Sequence, residues 1–181
     1  MPAILEDAEQ NISPHMRTLL ARVWQGWKQL DIADASDKIE RISNEDAGCK
    51  RLWQIPGVGP LVSTATVAAI GNGAAFRKGR DFAAWLGLVP VSHSTGDKAK
   101  LYGISKRGNF YLRRMFVHGA CAVLLRVKYD TGGFGRWVHQ LEARAPRNKV
   151  IVAIANKLAR IAWAVLFRAE DYRPMAVCTQ A

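Results

Sequence analysis

The chain has 181 residues, 49% of them hydrophobic, and a formal net charge of +11. That length suits one core of about 100–150 residues with an appended element. An apolar run of about 18 residues is not expected, and the acidic opening MPAILEDAEQ is unlike a secretory leader, so spanning and secreted classes are set aside.

Charge is divided unevenly. Residues 1–50 hold 6 Lys/Arg against 9 Asp/Glu, for −3, whereas residues 51–181 hold 20 against 6, for +14. So basic a domain repels itself unless it faces a polyanion, and nucleic acid is the commonest one inside cells. The three cysteines, Cys49, Cys121 and Cys178, lack the spacing of metal ligands or of a disulfide framework. They read as reduced thiols, with Cys121 in the core.

In chain order, residues 1–12 read as a flexible N-terminus. Ser13-Pro14 is an N-cap with a first-turn proline, and Leu20, Val23, Trp27 and Leu30 then recur at helical steps. The stripe resumes at Ile39 and Ile42, which predicts a long helix or a helical pair over residues 13–48. Trp24 and Trp27 are a heavy apolar load there. They pack on the body of the chain, or they form the seam of a coiled-coil homo-oligomer through residues 13–46.

From Arg51 the composition turns basic and glycine-punctuated, which marks a mostly α domain over residues 49–169, followed by a flexible tail over 170–181. The stretch LWQIPGVGPLVSTATV resembles a helix-hairpin-helix. Gly57 and Gly59 would permit its tight turn and leave amides bare at the start of the second helix, where a DNA phosphate fits; Ile55 and Val58 would be the core beneath it. An ordinary ligand-free αα-turn is the other reading. Helices follow over residues 61–70, 81–86, 108–127, 135–143 and 148–168, while residues 89–102, with Pro90 and Gly96, read as a loop or short hairpin.

That loop is where chemistry is expected first. VSHSTGDK offers the hydroxyls of Ser92, Ser94 and Thr95 to attack a phosphodiester, with His93 as a possible base, although such a loop is often only a turn. His118 and His139 fall on helices and read as core or surface groups. Lys98, Lys100, Lys106, Arg107, Arg113 and Arg114 form a run of cations with no acid among them, a phosphate clamp. Ser105 is expected to cap a helix starting near Lys106 and so to aim these groups at one anion. Tyr102, Phe110 and Tyr111 stack on unpaired bases or pack inward. The acids after Arg51 are Asp81, Asp97, Asp130, Glu142, Glu170 and Asp171, with no paired-carboxylate spacing for a metal.

Four blocks in order, IPGVGPLVSTATVAAIG, FRKGRDFAAWLGLVPVSHSTGDK, GISKRGNFYLRRMFVHGA and NKVIVAIANKLARIAWAVLF, resemble the C-terminal half of the IS-one-ten family of insertion-sequence transposases over residues 51–168. The resemblance implies a DEDD-type, serine-dependent recombinase acting on DNA and guided by a structured RNA. In full members a RuvC-like N-terminal domain carries four acids that hold Mg²⁺, and a coiled-coil linker, here residues 13–46, leads to this domain. The family's serine precedes the glycine. That position is Thr95 in this chain, and Ser94 beside it is the less hindered nucleophile. Without the acid-bearing domain the chain has no cofactor of its own and is expected to bind nucleic acid without cutting it, in a cytoplasmic, nucleoid-associated setting. A truncated frame, a piece that works by complementation and an excerpt of a longer protein all fit. So do two other classes, a non-catalytic helix-hairpin-helix module and a regulatory fragment.

Overall fold

The structure, a computed structural model, describes residues 12–29, 32–95, 98–126 and 132–174. For residues 28, 29, 32, 33, 93–95 and 98–101 it describes the backbone alone. The proposed N-terminal flexibility over 1–11 and most of the expected tail, with Cys178, lie outside the described residues. Two compact units emerge, residues 1–41 and 42–181.

The first unit contains α1 (Pro14–Gln29) and most of α2 (Ile32–Glu45), a helical pair. Ser13 caps α1 as the sequence predicts, its Oγ accepting from the Met16 amide at 3.3 Å. Met16, Leu19, Val23 and Trp27 are 42–67% exposed and recur at steps of three and four, so they share one face of α1.

The second unit is helical apart from one hairpin. It runs α3 (Ala47–Trp53), α4 (Pro60–Ile70), α5 (Gly79–Trp85), β1 (Pro90–Thr95), β2 (Lys98–Ile104), α6 (Phe110–Arg126), α7 (Gly132–Glu142) and α8 (Arg147–Arg168). The end of α2 belongs to it through a buried polar knot. The Ser43 and Ser63 hydroxyls lie 3.2 Å apart, and Ser63 Oγ also accepts from Trp53 Nε1 at 2.9 Å while reaching the Pro60 carbonyl. Buried hydroxyls are tolerated because they are partnered. Asp46 caps α3, and the Cys49 amide it accepts from, at 2.7 Å, holds its carboxyl below the usual range.

At the centre lies α8, which packs against α3, α5, α6 and α7. Val150, Ile154, Leu158, Ala162 and Val165 recur at three- and four-residue steps and are buried with Phe82, Leu86, Leu112 and Phe116. Each such large side chain contributes about 1.5–3 kcal/mol on leaving water. By length and apolar composition α8 would suffice to cross a bilayer, contrary to the sequence expectation of no such stretch, yet its apolar face is covered by protein. The thiol assignment is also corrected. Cys49 is fully buried and Cys121 only partly so, and burial pushes the Cys49 thiol up to about 11, which keeps it protonated and inert.

Asp171 and Tyr172, in the segment expected as a flexible tail, are hydrogen-bonded to Gln54. Gln54 Nε2 donates to Asp171 Oδ1 at 3.1 Å while its Oε1 accepts from the Tyr172 amide at 3.0 Å. This reciprocal pair fastens residues 171 and 172 to the turn after α3.

In that turn Ile55 and Val58 are buried, as the sequence predicts. Gly57 has φ +81° and is pressed against α6, where an added Cβ would stand 2.5 Å from the Gly119 carbonyl oxygen; a Cβ on Gly119 would in turn strike the Gly57 carbonyl. Gly59, by contrast, faces open space. Gly57→Ala is therefore expected to lower unfolding stability by about 2–4 kcal/mol, and Gly59→Ala to change it by less than about 0.5 kcal/mol. Urea unfolding of the two variants checks this, and equal losses would contradict it.

Candidate nucleic-acid interface

The hairpin is held at its base by the segment that follows it. Ser105 N donates to the Val89 carbonyl at 2.9 Å, Lys106 N to Gly87 at 3.2 Å and Asn109 N to Trp85 at 3.3 Å. These bonds zip residues 105–109 along residues 85–89. Lys106 is drawn into the left-handed region at φ 55°, a conformation a lysine keeps only where its surroundings enforce it. Gly87 and Gly108, at φ +73° and +105°, are required here, since a Cβ on either would strike the backbone of the facing segment.

The capping assignment is corrected by the same contacts. Ser105 is part of this backbone zipper and caps nothing. The helix starts at Phe110, and its cap is Asn109, whose Oδ1 accepts from the Leu112 amide at 3.0 Å. An Asn is as good a cap as a Ser, and the positive φ at Lys106 and Gly108 forbids a helix beginning earlier.

In the hairpin Pro90 pairs with Ile104, Ser92 with Leu101, His93 with Lys100, Ser94 with Ala99 and Thr95 with Lys98. A register shift between Pro90 and Ser92 gives β2 one extra residue there, a bulge of the kind that re-aims a strand. Ser94 and Thr95 therefore end β1, and Lys98 and Lys100 start β2. Their side chains, with that of His93, lie outside the described residues.

Beside the hairpin base opens a cleft of about 1780 Å³. Its walls are Lys78 to Arg80 at the start of α5, Pro90 and Tyr102 to Ile104 at the foot of the hairpin, Lys106, Trp137 of α7, and one face of α8. The α8 face carries Lys149, Asn156, Lys157 and Arg160 at helical spacing, opposite its buried stripe. Among the described residues six cations border the cleft and no carboxylate does. Asn156 Nδ2 donates to the Leu88 carbonyl at 3.2 Å and ties α8 to the strand that enters the hairpin. Lys157 Nζ sits 3.9 Å from the centre of the Trp137 ring. Burial, helped by the positive charge of Arg160, holds the Lys157 ammonium below its ordinary range. An ammonium over an indole face is stabilised by the ring, but here it is also short of counter-charge.

The sequence-predicted site residues separate. Lys106 enters the cleft. Arg107 and Arg114 are exposed and do not border it. Arg113 is engaged internally, Nη1 donating to the Leu86 carbonyl at 3.0 Å and the guanidinium lying 5.5 Å over the Phe110 ring. Gly57 and Gly59 do not border the cleft. Phe110, Tyr111 and Tyr102 are 66, 51 and 56% exposed, so none is a core residue. His118 and His139 are surface groups. Sequence reasoning missed Lys78, Arg80, Lys149, Lys157 and Arg160. The signal was present in α8, which holds five Lys or Arg and no acid along its 22 residues. Among the described residues no three His, Cys, Asp or Glu come together as a metal site. Asp81 is committed to capping α5 and Asp171 to holding Gln54.

A row of cations without acids around a half-apolar floor can bind a polyanion, and Lys157 gives that binding a pH signature. A phosphate or sulfate beside its ammonium raises its pKa back toward 10.5. The complex then holds more protons than the free partners at alkaline pH, so affinity is constant below the free Lys157 pKa and falls as pH rises above it. Calorimetry with heparin at alkaline pH, in two buffers of different ionisation enthalpy, is expected to show proton uptake that Lys157→Met abolishes. Uptake unchanged in the variant would contradict the assignment.

Residues 49–136 match the model of the "Transposase IS116/IS110/IS902 family". Over 174 residues the chain is 42% identical to a probable family 20 transposase of Pseudomonas aeruginosa, covering 96% of this chain and 49% of that protein. It is 38% identical over 175 residues to the transposase for insertion sequence element IS1111A of Coxiella burnetii, covering 96% and 48%. It is also 38% identical over 159 residues to the transposase for insertion sequence element IS1328 of Yersinia enterocolitica, covering 87% and 48%. The chain thus spans about half the length of the curated relatives it matches.

Proposed function

Because this chain belongs to the IS116/IS110/IS902 transposase family, we propose that it serves DNA transposition as the part that grips DNA and transfers the strand. One observation carries this reading: the β1–β2 hairpin is rooted in the wall of the basic cleft. Ser94 lies four residues along β1 from Pro90, about 13 Å of strand. The element that carries the candidate hydroxyls thus starts where phosphates would be held.

In this reading the hydroxyl oxygen of Ser94 or Thr95 attacks the phosphorus of a DNA phosphodiester. The new O–P bond forms as the bond to the leaving deoxyribose oxygen breaks. The hydroxyl proton passes to a base or to solvent, and the leaving oxygen takes a proton up. The covalent link conserves the phosphodiester for rejoining. Cations at the cleft stabilise charge gathering on the phosphoryl oxygens. Mg²⁺, which the resemblance implies, would neutralise charge on the phosphate and would be held by acids that the described residues do not bring together. A guide RNA enters as a second polyanionic partner, supported by the same excess of positive charge.

The test supplies the chain together with the acid-bearing half of a full-length relative and scores covalent protein–DNA adducts on denaturing gels. Either Ser94→Ala or Thr95→Ala is expected to cut adduct formation by about a thousandfold or more while leaving DNA affinity within about twofold. Wild-type adduct levels in both single variants and in the double variant would eliminate the hydroxyl mechanism. The nucleophile would then lie elsewhere, whereas a wild-type chain that forms no adduct would leave a non-catalytic nucleic-acid-binding module.

The exposed stripe Met16, Leu19, Val23 and Trp27 supports self-association of this chain through residues 13–46. Sedimentation analysis is expected to show a dimer or larger species that Val23→Glu with Trp27→Glu converts to monomer. A wild-type protein that stays monomeric at high concentration would contradict it.

A further inference from the structure

We propose that the cleft between the hairpin foot, the start of α5, α7 and α8 takes an unpaired nucleic-acid strand in preference to a duplex. This rests on the reading of the chain as a DNA-gripping part of a transposase and names what its groove holds.

Chemistry is layered across the cleft. Its rim is cationic and wet: Lys78, Arg80, Lys106, Lys149 and Arg160 are all exposed. Its floor is apolar and half-buried: Val152, Ala153, Ile161 and Ala164 along α8, with Trp137 and Trp163. A duplex turns its phosphates outward and keeps its base faces stacked inside, so it would meet the rim and leave the floor unused. An unpaired strand presents both groups at once, phosphates for the rim and base faces for an apolar, aromatic floor. Among the described residues no carboxylate on the lining opposes it.

Lys157 links the two layers. It is the half-buried cation of the six, lying 3.9 Å over Trp137 and 5.6 Å from the centre of the Phe134 ring. Phe134 backs Trp137 with ring centroids 5.9 Å apart, so the indole is held in a fixed plane. A phosphate drawn to Lys157 would place the neighbouring base within reach of that indole. Trp163 is likewise fixed, its Nε1 donating to the Gly73 carbonyl at 3.0 Å and its ring stacked on Phe167 at 4.9 Å. Aromatic groups locked at the floor of a basic groove are preorganised for sequence-tolerant stacking.

Fluorescence anisotropy of the whole chain with dye-labelled single-stranded DNA, the matching duplex and a single-stranded RNA of the same length tests this. Both single strands are expected to bind about tenfold or more tightly than the duplex. Lys149→Gln with Lys157→Gln and Arg160→Gln is expected to weaken single-strand binding by at least about tenfold and to flatten its salt dependence by about 0.7 per lost phosphate contact. Arg144→Gln, an exposed cation off the cleft, is the control and is expected to bind as wild type. Trp137→Leu is expected to lose about tenfold, with circular dichroism of the variant checking its fold. Equal or tighter duplex binding, or a triple variant that binds single strands normally, overturns the proposal. A tighter RNA than DNA complex keeps the groove and assigns its occupant to RNA. Covalent adducts with an indifferent cleft would sink this inference alone, whereas single-strand binding without adducts would sink only the hydroxyl mechanism.

Discussion

Everything in the larger unit depends on α8 having two faces. Its apolar stripe, Val150, Ile154, Leu158, Ala162 and Val165, is the surface onto which α3, α5, α6 and α7 are laid. The opposite face sets Lys149, Lys157 and Arg160 among small apolar residues and forms one wall of the cleft. The helix that builds the core therefore also fixes the spacing of the charges. A groove assembled on the most buried element of a fold is rigid, and rigidity is what separates a binding surface from a scatter of mobile lysines.

The hairpin depends on a second constraint, the close approach of backbones at Gly87 and Gly108 and the bonds from residues 105–109 to residues 85–89. Those bonds set where the hairpin begins and force Lys106 into an unusual conformation at the edge of the cleft. Asn156 ties the same strand entry to α8. The foot of the hairpin and the cationic wall are thus parts of one framework. The turn at Gly57 is fastened just as closely to α6, and its glycine is explained by Gly119 alone, so the phosphate cradle read from its sequence is not needed to account for that residue.

Much of the fold was legible because helices write themselves as apolar residues three and four apart. The five helices expected after residue 60 occur within a few residues of their predicted bounds, and Pro90 with Gly96 marked the hairpin. The site was harder. Sequence reading favours cations that are neighbours in the chain, and so it chose Lys98 to Arg114. Folding separates those whose side chains are described: Lys106 goes to the cleft, Arg113 turns inward to the Leu86 carbonyl and Arg114 lies elsewhere on α6. Lys78, Lys149, Lys157 and Arg160, dispersed over some eighty positions, converge instead. Periodicity could have found the α8 members, which share a face in a helix without acids; nothing local could have joined them to Lys78. The Ser105 cap failed because a nearby Asn109 does the same job once two residues with positive φ have been passed.

The most direct test of the account is where a nucleic acid touches the protein. Single-stranded DNA carrying 5-bromodeoxyuridine, photo-crosslinked to the whole chain and mapped by mass spectrometry, is predicted to label α8 and the residues facing it across the cleft, Tyr102 or Trp137 among them. Labelling confined to the turn around Gly57 and Gly59, with α8 untouched, would contradict it and return the binding site to the glycine turn.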